Sequence, residues 1–398
     1  MNPSDSPAEF LLFNQPDDEL TQEDRSEVRR MLAKPNSSAE EQIRTFEERI
    51  RLYTGSHFAI AISSGATGLQ LCMRAVDIQP GDLVITTPLT ARTSVNLLLA
   101  HDAVPVLVDV EPRTGNIDAH LVFAALQDIM YGSRNARAWL PPRSANVEGK
   151  LKAILPVDVL GQHADLELIL NSAWKYRVKV IEDAREALGS AYKGHQSGTL
   201  ADLGVYEFPS DRETTSDGCG MIITDDEQAA QSIIALRDQD HNSKDASLPI
   251  MNNSDRFLPE VKNTAWGQIY LQRLNDRITK RSQVANWYNQ RLSGISGIEI
   301  PAVGKHTSKM NWSIYVIRLA PGLNRDAITK KLTGKGILVK PYHLPIHLMP
   351  EIKQRFGYKV GTFPVTEDLT RRCLVLPFSG LMQEEQVEQV CQALRQCL

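Results

Sequence analysis

Phe58-Ala-Ile-Ala-Ile-Ser-Ser-Gly-Ala-Thr-Gly68 decides how this chain folds. Five residues without a charge, too few for a helix, run into a Ser-Ser-Gly turn, and helical spacing takes over to about Val76. A short apolar run of this kind, closed by turn residues, reads as a strand buried on both faces. The rhythm then repeats. Strands are expected over 82–86, 104–110, 152–157, 178–181, 204–208 and 221–224, with helices over 93–101, 118–128 and 165–176 between them. Such alternation builds a parallel, doubly wound sheet covered by helices. Ligands of such sheets bind beyond the carboxyl ends of the strands. Ser63–Gly68, Asp183 and the 205–221 loop all follow strands on that side.

Upstream, residues 1–20 read as a polar, acidic arm. Thr21 with Asp24 has the pattern of a capping box opening a helix to Leu32. A second helix over 39–53 is stopped by Gly55. From about Gln239 the rhythm changes. A polar stretch over 240–259 leads into a long helix from Asn263 to about Leu292. Strands over 312–319 and 338–342 and helices over 326–334 and 383–398 follow. The expected organisation is 1–240, an arm and a large α/β domain, then 241–398, a connecting loop, the long helix and a smaller α+β domain. Residues 130–149, with Tyr131, Trp139 and Pro141-Pro142, form an insertion at the edge of the sheet away from the site. It reads as a solvated loop or as a partner contact.

Bulk properties narrow the function. Lys plus Arg number 44 and Asp plus Glu 48, a net charge of -4 with the signs interleaved. Nucleic acid asks for a basic stripe and is excluded as the main partner. No stretch reaches the ~20 apolar residues that span a bilayer, so no membrane partner is expected. The five cysteines are odd in number and lack a CxxC pair, which argues against metal or disulfide frameworks and fits a cytoplasmic protein.

Ala61-Ile-Ser-Ser-Gly-Ala-Thr-Gly-Leu69, Pro105-Val-Leu-Val-Asp-Val-Glu-Pro112, Val180-Ile-Glu-Asp-Ala184, Ile222-Ile-Thr-Asp-Asp226, Tyr342-His-Leu-Pro-Ile-His347 and Leu374-Val-Leu-Pro377 occur in one order along the chain. In that order they resemble the DegT/StrS sugar aminotransferases, which have the fold-type I architecture and use pyridoxal phosphate (PLP). The resemblance covers residue 40 to the end. It implies a fold-type I aminotransferase-like α/β protein and a homodimer with its site at the interface. It also implies that Asp183 partners the pyridinium nitrogen and that Ser64, Gly65, Ala66 and Thr67 cradle the phosphate.

Other family positions are changed. Laid on Val205–Met221 without a gap, the family's Schiff-base lysine falls on Arg212, its phosphate-binding serine on Glu207, and its Gly-Glu-Gly-Gly run on Asp217–Gly220. The stacking aromatic falls on Ala91 and a glutamine on Glu186. Arginine stays protonated and cannot supply a neutral amine. A carboxylate at 207 would repel a phosphate. These changes lead to the expectation of no PLP cofactor, with noncovalent PLP left open. The expected function is PLP-independent acid–base chemistry (dehydration, isomerisation or cyclisation) on a small phosphate- or carboxylate-bearing intermediate. The alternatives are a silent ligand-binding or partner subunit and, third, a PLP-dependent aminotransferase or dehydratase.

Arg212, Glu207, Asp183, Glu186 and His343 are the candidate catalytic residues. Ser64, Gly65, Ala66, Thr67, Arg92 and Cys219 are the candidate substrate contacts. Each has a plain structural reading beside it: Arg212 as an internal ion-pair partner, Asp183 as a buried acid, Cys219 as a packed thiol. No metal ligands are expected.

Overall fold

The computed structural model describes residues 19, 21–33, 38–144, 149–209, 218–242 and 257–398. Helix α1 (Gln22–Leu32) opens on the expected capping box, with Thr21 and Asp24 each accepting from the other's backbone N–H. Helix α2 (Ala39–Thr54) ends on Gly55 at φ 75°, a left-handed position that glycine adopts without strain. Of the expected arm only Glu19 lies among the described residues, and it is buried beside Arg281.

Strands β1 (Phe58–Ile62), β2 (Leu83–Thr86), β3 (Val104–Leu107), β4 (Leu151–Ile154) and β5 (Lys179–Asp183) come first. A small hairpin, β6 (Ala191–Tyr192) and β7 (His195–Gln196), precedes β8 (Leu203–Phe208) and β9 (Cys219–Thr224). The central sheet runs β1-β9-β8-β5-β4-β2-β3. Its β8-β5-β4-β2-β3 run is parallel, while β9 is antiparallel to both of its neighbours. The mostly parallel α/β sheet expected from the sequence is therefore present.

Helix α3 (Gly65–Ala75) lies directly on this sheet. A Cβ at Gly68 would come within 2.5 Å of Ile62 Cδ1 and 2.7 Å of Val205 Cγ1, so a glycine is needed for the helix to approach this closely. Helix α4 (Arg92–Ala100) carries Ser94 into the interior.

Beyond the sheet, β10 (Ile298–Glu299), β12 (Val316–Leu319) and β13 (Cys373–Val375) form a second, antiparallel sheet. Strand β11 (Thr307–Lys309), between them in sequence, pairs instead with β6. A core of stacked rings lies here, with Tyr288 and Tyr315 centred 4.7 Å apart and Phe378 5.8 Å from Tyr315.

Three expectations need correction. The long helix is two helices, Val261–Gln272 and Leu274–Leu292. They are broken at Arg273, whose guanidinium pairs with Asp24 at 2.8 Å and Glu23 at 3.3 Å. Residues 338–342 make one isolated bridge, Lys340 to Val375, and no strand. The third strand stops at Leu107, and Val110 bridges Ile117 in a turn. The insertion packs where described: Trp139 donates to Asp128 at 2.8 Å, and Arg143 to the Gln354 carbonyl at 2.7 Å. No described helix is long and apolar enough to cross a membrane.

Candidate functional site

Three elements meet at the carboxyl end of β5: the amino end of α3, the amino end of α4, and the end of β8. Ser64 caps α3, its hydroxyl accepting from Thr67 N–H at 3.1 Å, and Thr67 Oγ1 lies 2.9 Å from Ser64 Oγ and 3.0 Å from Ser63 Oγ. Hydroxyls and free amide N–H groups at a helix start attract anions. Asp183 ends β5, buried, facing this point.

The sequence reading overlooked the residue that dominates the geometry. Arg185 Nε donates to Asp183 Oδ1 at 2.6 Å, and its Nη2 donates to Asp183 Oδ2 at 2.8 Å and to Ser94 Oγ at 2.8 Å. Ser94 Oγ in turn donates to Asp183 Oδ2 at 3.0 Å. The Arg185 side chain retains 11% exposure. Burial opposes its charge, but Asp183, Glu207 and Glu186 outweigh that and raise its pKa. A Cβ on Gly65 would sit 2.5 Å from Arg185 Cδ and 3.0 Å from Glu207 Cβ, so both side chains lie against the first residue of α3. The signal was present: a cation two residues beyond Asp183 can fold back onto it.

Glu207 is the second key group. Its carboxylate lies 4.0 Å from Arg185 Nη1, and its Cβ packs against Gly65 at the start of α3. The side chain is surrounded by the cleft walls yet open at the mouth, with 44% exposure. Burial pushes its pKa up, against the pull of Arg185. Glu186 accepts from the Tyr342 hydroxyl at 2.9 Å and lies 3.9 Å from His343 Nε2. Burial pushes the His343 pKa down, which favours a neutral ring able to take a proton.

Of the residues expected to form a site, the fold brings Ser64, Gly65, Ala66, Thr67, Asp183, Glu186, Glu207 and His343 to one cleft. Arg212 lies outside the described residues. Two expectations are corrected. Arg92 points to the surface and pairs with Glu351 at 3.0 Å. Cys219 is fully buried, its Sγ donating to the Asn263 carbonyl at 3.4 Å, because β9 turns that side chain into the core. Burial also pushes its pKa up, the opposite of a nucleophile's need.

On the neighbouring β5 residue, Glu182, lies a cluster the sequence reading missed. His163 Nδ1 is 3.4 Å from both Asp158 Oδ2 and Glu182 Oε1, and its Nε2 is 3.0 Å from Ser197 Oγ. The donor types and spacing suit a metal ion. The imidazole already supplies a cation here: burial opposes its charge, but the two carboxylates push its pKa up to about 10.

PLP held as the family resemblance implies would place its ring nitrogen on Asp183 and its phosphate at the start of α3. In this structure Arg185 covers both Asp183 oxygens, and the Glu207 side chain packs beside Gly65, where the phosphate would lie. The arrangement as it stands does not offer those two groups to the cofactor.

Comparison with known proteins sets the functional frame. The chain is 33% identical over 358 residues to the GDP-perosamine synthase of Caulobacter vibrioides, covering 89% of each chain. Among solved structures it superposes on Helicobacter pylori PseC, an aminotransferase involved in the biosynthesis of pseudoaminic acid, with a TM-score of 0.80. Identity there is 20%, over 98% of this chain and 99% of that one. A Streptococcus pneumoniae protein solved in its PLP form gives a TM-score of 0.80 at 20% identity over 97% of each chain. These matches correct two expectations. A PLP-independent reaction and the absence of PLP are both at odds with a Bacillus subtilis relative, EpsN, named a putative pyridoxal phosphate-dependent aminotransferase and 29% identical over 356 residues, 88% of this chain and 87% of that one. With residues 18–395 matching it, the chain belongs to the DegT/DnrJ/EryC1/StrS aminotransferase family.

Proposed function

We propose that the chain serves amino-sugar biosynthesis, binding a nucleotide-linked sugar in the cleft beside PLP held without a covalent bond to the protein. The observation that carries this reading is the pair of groups that would hold the cofactor once Arg185 and Glu207 move aside: Asp183, buried at the end of β5, and the Ser64-capped start of α3. That pairing of a carboxylate with a helix amino end suits a ligand with a cationic ring and an anionic arm. The 33% identity to a GDP-perosamine synthase supports a nucleotide-linked sugar as the substrate class. The noncovalent hold follows from arginine at position 212, where the resemblance places the lysine.

When bound, PLP supplies an electron sink for chemistry at the substrate carbon next to nitrogen. The chain's own groups hold and move protons. Tyr342 fixes the Glu186 carboxylate through a 2.9 Å hydrogen bond. His343, neutral and half-buried beside it, takes a proton at Nε2. The Tyr342 ring is centred 4.2 Å from that of His343 and packs beside it.

Two measurements test this. The protein is loaded with PLP, treated with borohydride and mapped by peptide mass; no peptide from the cleft should carry the cofactor. A GDP-linked keto sugar with an amino donor should then change the cofactor's absorbance and yield an amino sugar by mass spectrometry. Absence of any sugar-dependent change would remove the functional reading, and a cofactor-labelled cleft peptide would remove the noncovalent one.

A further inference from the structure

We propose that Arg185 and Glu207 act together as an intramolecular stand-in for the cofactor, so that PLP enters the cleft only in competition with them. This rests on the reading above that PLP is the ligand. The guanidinium is a planar cation donating two hydrogen bonds to Asp183, as a protonated pyridine nitrogen would donate one. The Glu207 side chain places a carboxylate beside Gly65 at the start of α3, the place where helix dipole and amide N–H favour a phosphate. The two groups lie 4.0 Å apart and pair with each other, so one zwitterionic unit spans the cleft.

The physical need for such a device follows from burial. Asp183 is 2% exposed and would be costly to ionise without a cation. In a protein that anchored its cofactor through lysine, the cofactor would always supply that cation. With arginine at 212 the covalent anchor is lost, and the cofactor-free chain needs a cation of its own. Arg185 provides it and keeps the cleft folded. Glu207, the more open of the two, leaves first, and Arg185 follows once its outer partner has moved. Glu186, which also stabilises the Arg185 charge, is the carboxylate available to receive it.

The competition has a direct consequence. The apparent affinity for PLP is the intrinsic affinity multiplied by the fraction of chains with the stand-in withdrawn. Removing either half raises that fraction.

The test is a PLP titration, followed by cofactor absorbance after gel filtration, on the full chain and on Arg185→Gln, Glu207→Ser and the double variant. Thermal unfolding checks that each is folded. Glutamine keeps a donor near Asp183 without the charge, which protects the fold. We expect Arg185→Gln to bind PLP about tenfold or more tightly than wild type, Glu207→Ser several-fold, and the double variant most tightly. Equal or weaker binding by folded variants, with wild type binding well, overturns the stand-in and leaves the cofactor reading intact. Binding by the double variant alone, with none by wild type at saturating PLP, supports the stand-in and overturns the cofactor reading for the native chain. Binding by none of the four proteins overturns both.

Discussion

Glu182 and Asp183 are neighbours on β5, and alternation along a strand sends them to opposite faces of the sheet. Both are buried carboxylates and both have acquired a cation. Glu182 shares His163 with Asp158 in a fully enclosed cluster, whereas Asp183 is held by Arg185 at the floor of a cleft whose mouth carries Glu207, Glu186 and His343. The enclosed side has a cation that titrates, and the open side has one that does not. A buried charge can thus be neutralised for stability alone or as part of a binding site. Access from solvent, together with the helix start beside it, separates the two cases.

The largest expected effect comes from removing one carboxylate. Asp183→Ala leaves the buried Arg185 guanidinium with Ser94 and, at 4.0 Å, Glu207 in place of its bidentate partner, and loss of one member of a buried pair costs about 3–5 kcal/mol. Urea unfolding should show a loss of that order. A loss below about 1 kcal/mol would mean the pair behaves as a surface contact. Asp183→Asn combined with Arg185→Met should recover most of the loss, because removing both charges removes the uncompensated one.

The next effect separates the two faces by pH. The His163 pKa is raised from its ordinary 6.5 to about 10 in the folded chain. Its contribution to stability is therefore complete below pH 6.5 and is lost as pH rises through about 10. Burial also pushes Asp158 up to about 7, against the pull of His163, so its ionisation adds a loss in the same direction at lower pH. Unfolding free energy should fall between pH 6.5 and 10 in wild type and fall much less in His163→Gln. Arg185 stays protonated across this window, so Arg185→Gln should leave the slope unchanged. An unchanged slope in His163→Gln would reassign the titration elsewhere.

Smaller effects belong to the rim of the cleft. Ser64→Ala removes the α3 cap and should cost about 1 kcal/mol, read by urea unfolding. Tyr342→Phe removes one hydrogen bond to Glu186, about 0.5–1.5 kcal/mol. An effect of Tyr342→Phe larger than that of Asp183→Ala would reverse the ranking of the cleft floor and its rim.

The sheet was legible in the sequence because strands buried on both faces leave near-continuous apolar runs, as in Phe58–Ile62, whose ends matched the structure. Strand ends elsewhere matched or shifted by one to three residues, except that the strand expected from Trp312 begins at Val316, since pairing depends on neighbours far away in sequence. The break at Arg273 was hidden because the apolar spacing continues through it, and only the ion pairs to Asp24 and Glu23 mark it. The cleft was partly legible: Ser64, Thr67, Asp183 and Glu207 follow strands on one side of the sheet. Arg185 was passed over because the family pattern drew attention to the residues on either side of it. His163 and Asp158 converge on Glu182 through three separate segments, and no spacing in the sequence announces that. The function read from changed residues alone led away from PLP, and only the relatives restored it.

The most direct test of the stand-in is a crystal structure of the Arg185→Gln, Glu207→Ser double variant soaked with PLP. The account predicts the ring nitrogen on Asp183 and the phosphate on the Gly65 and Ala66 amides at the start of α3. A cofactor bound elsewhere, or a cleft still empty at saturating PLP with Asp183 turned to another partner, would contradict it.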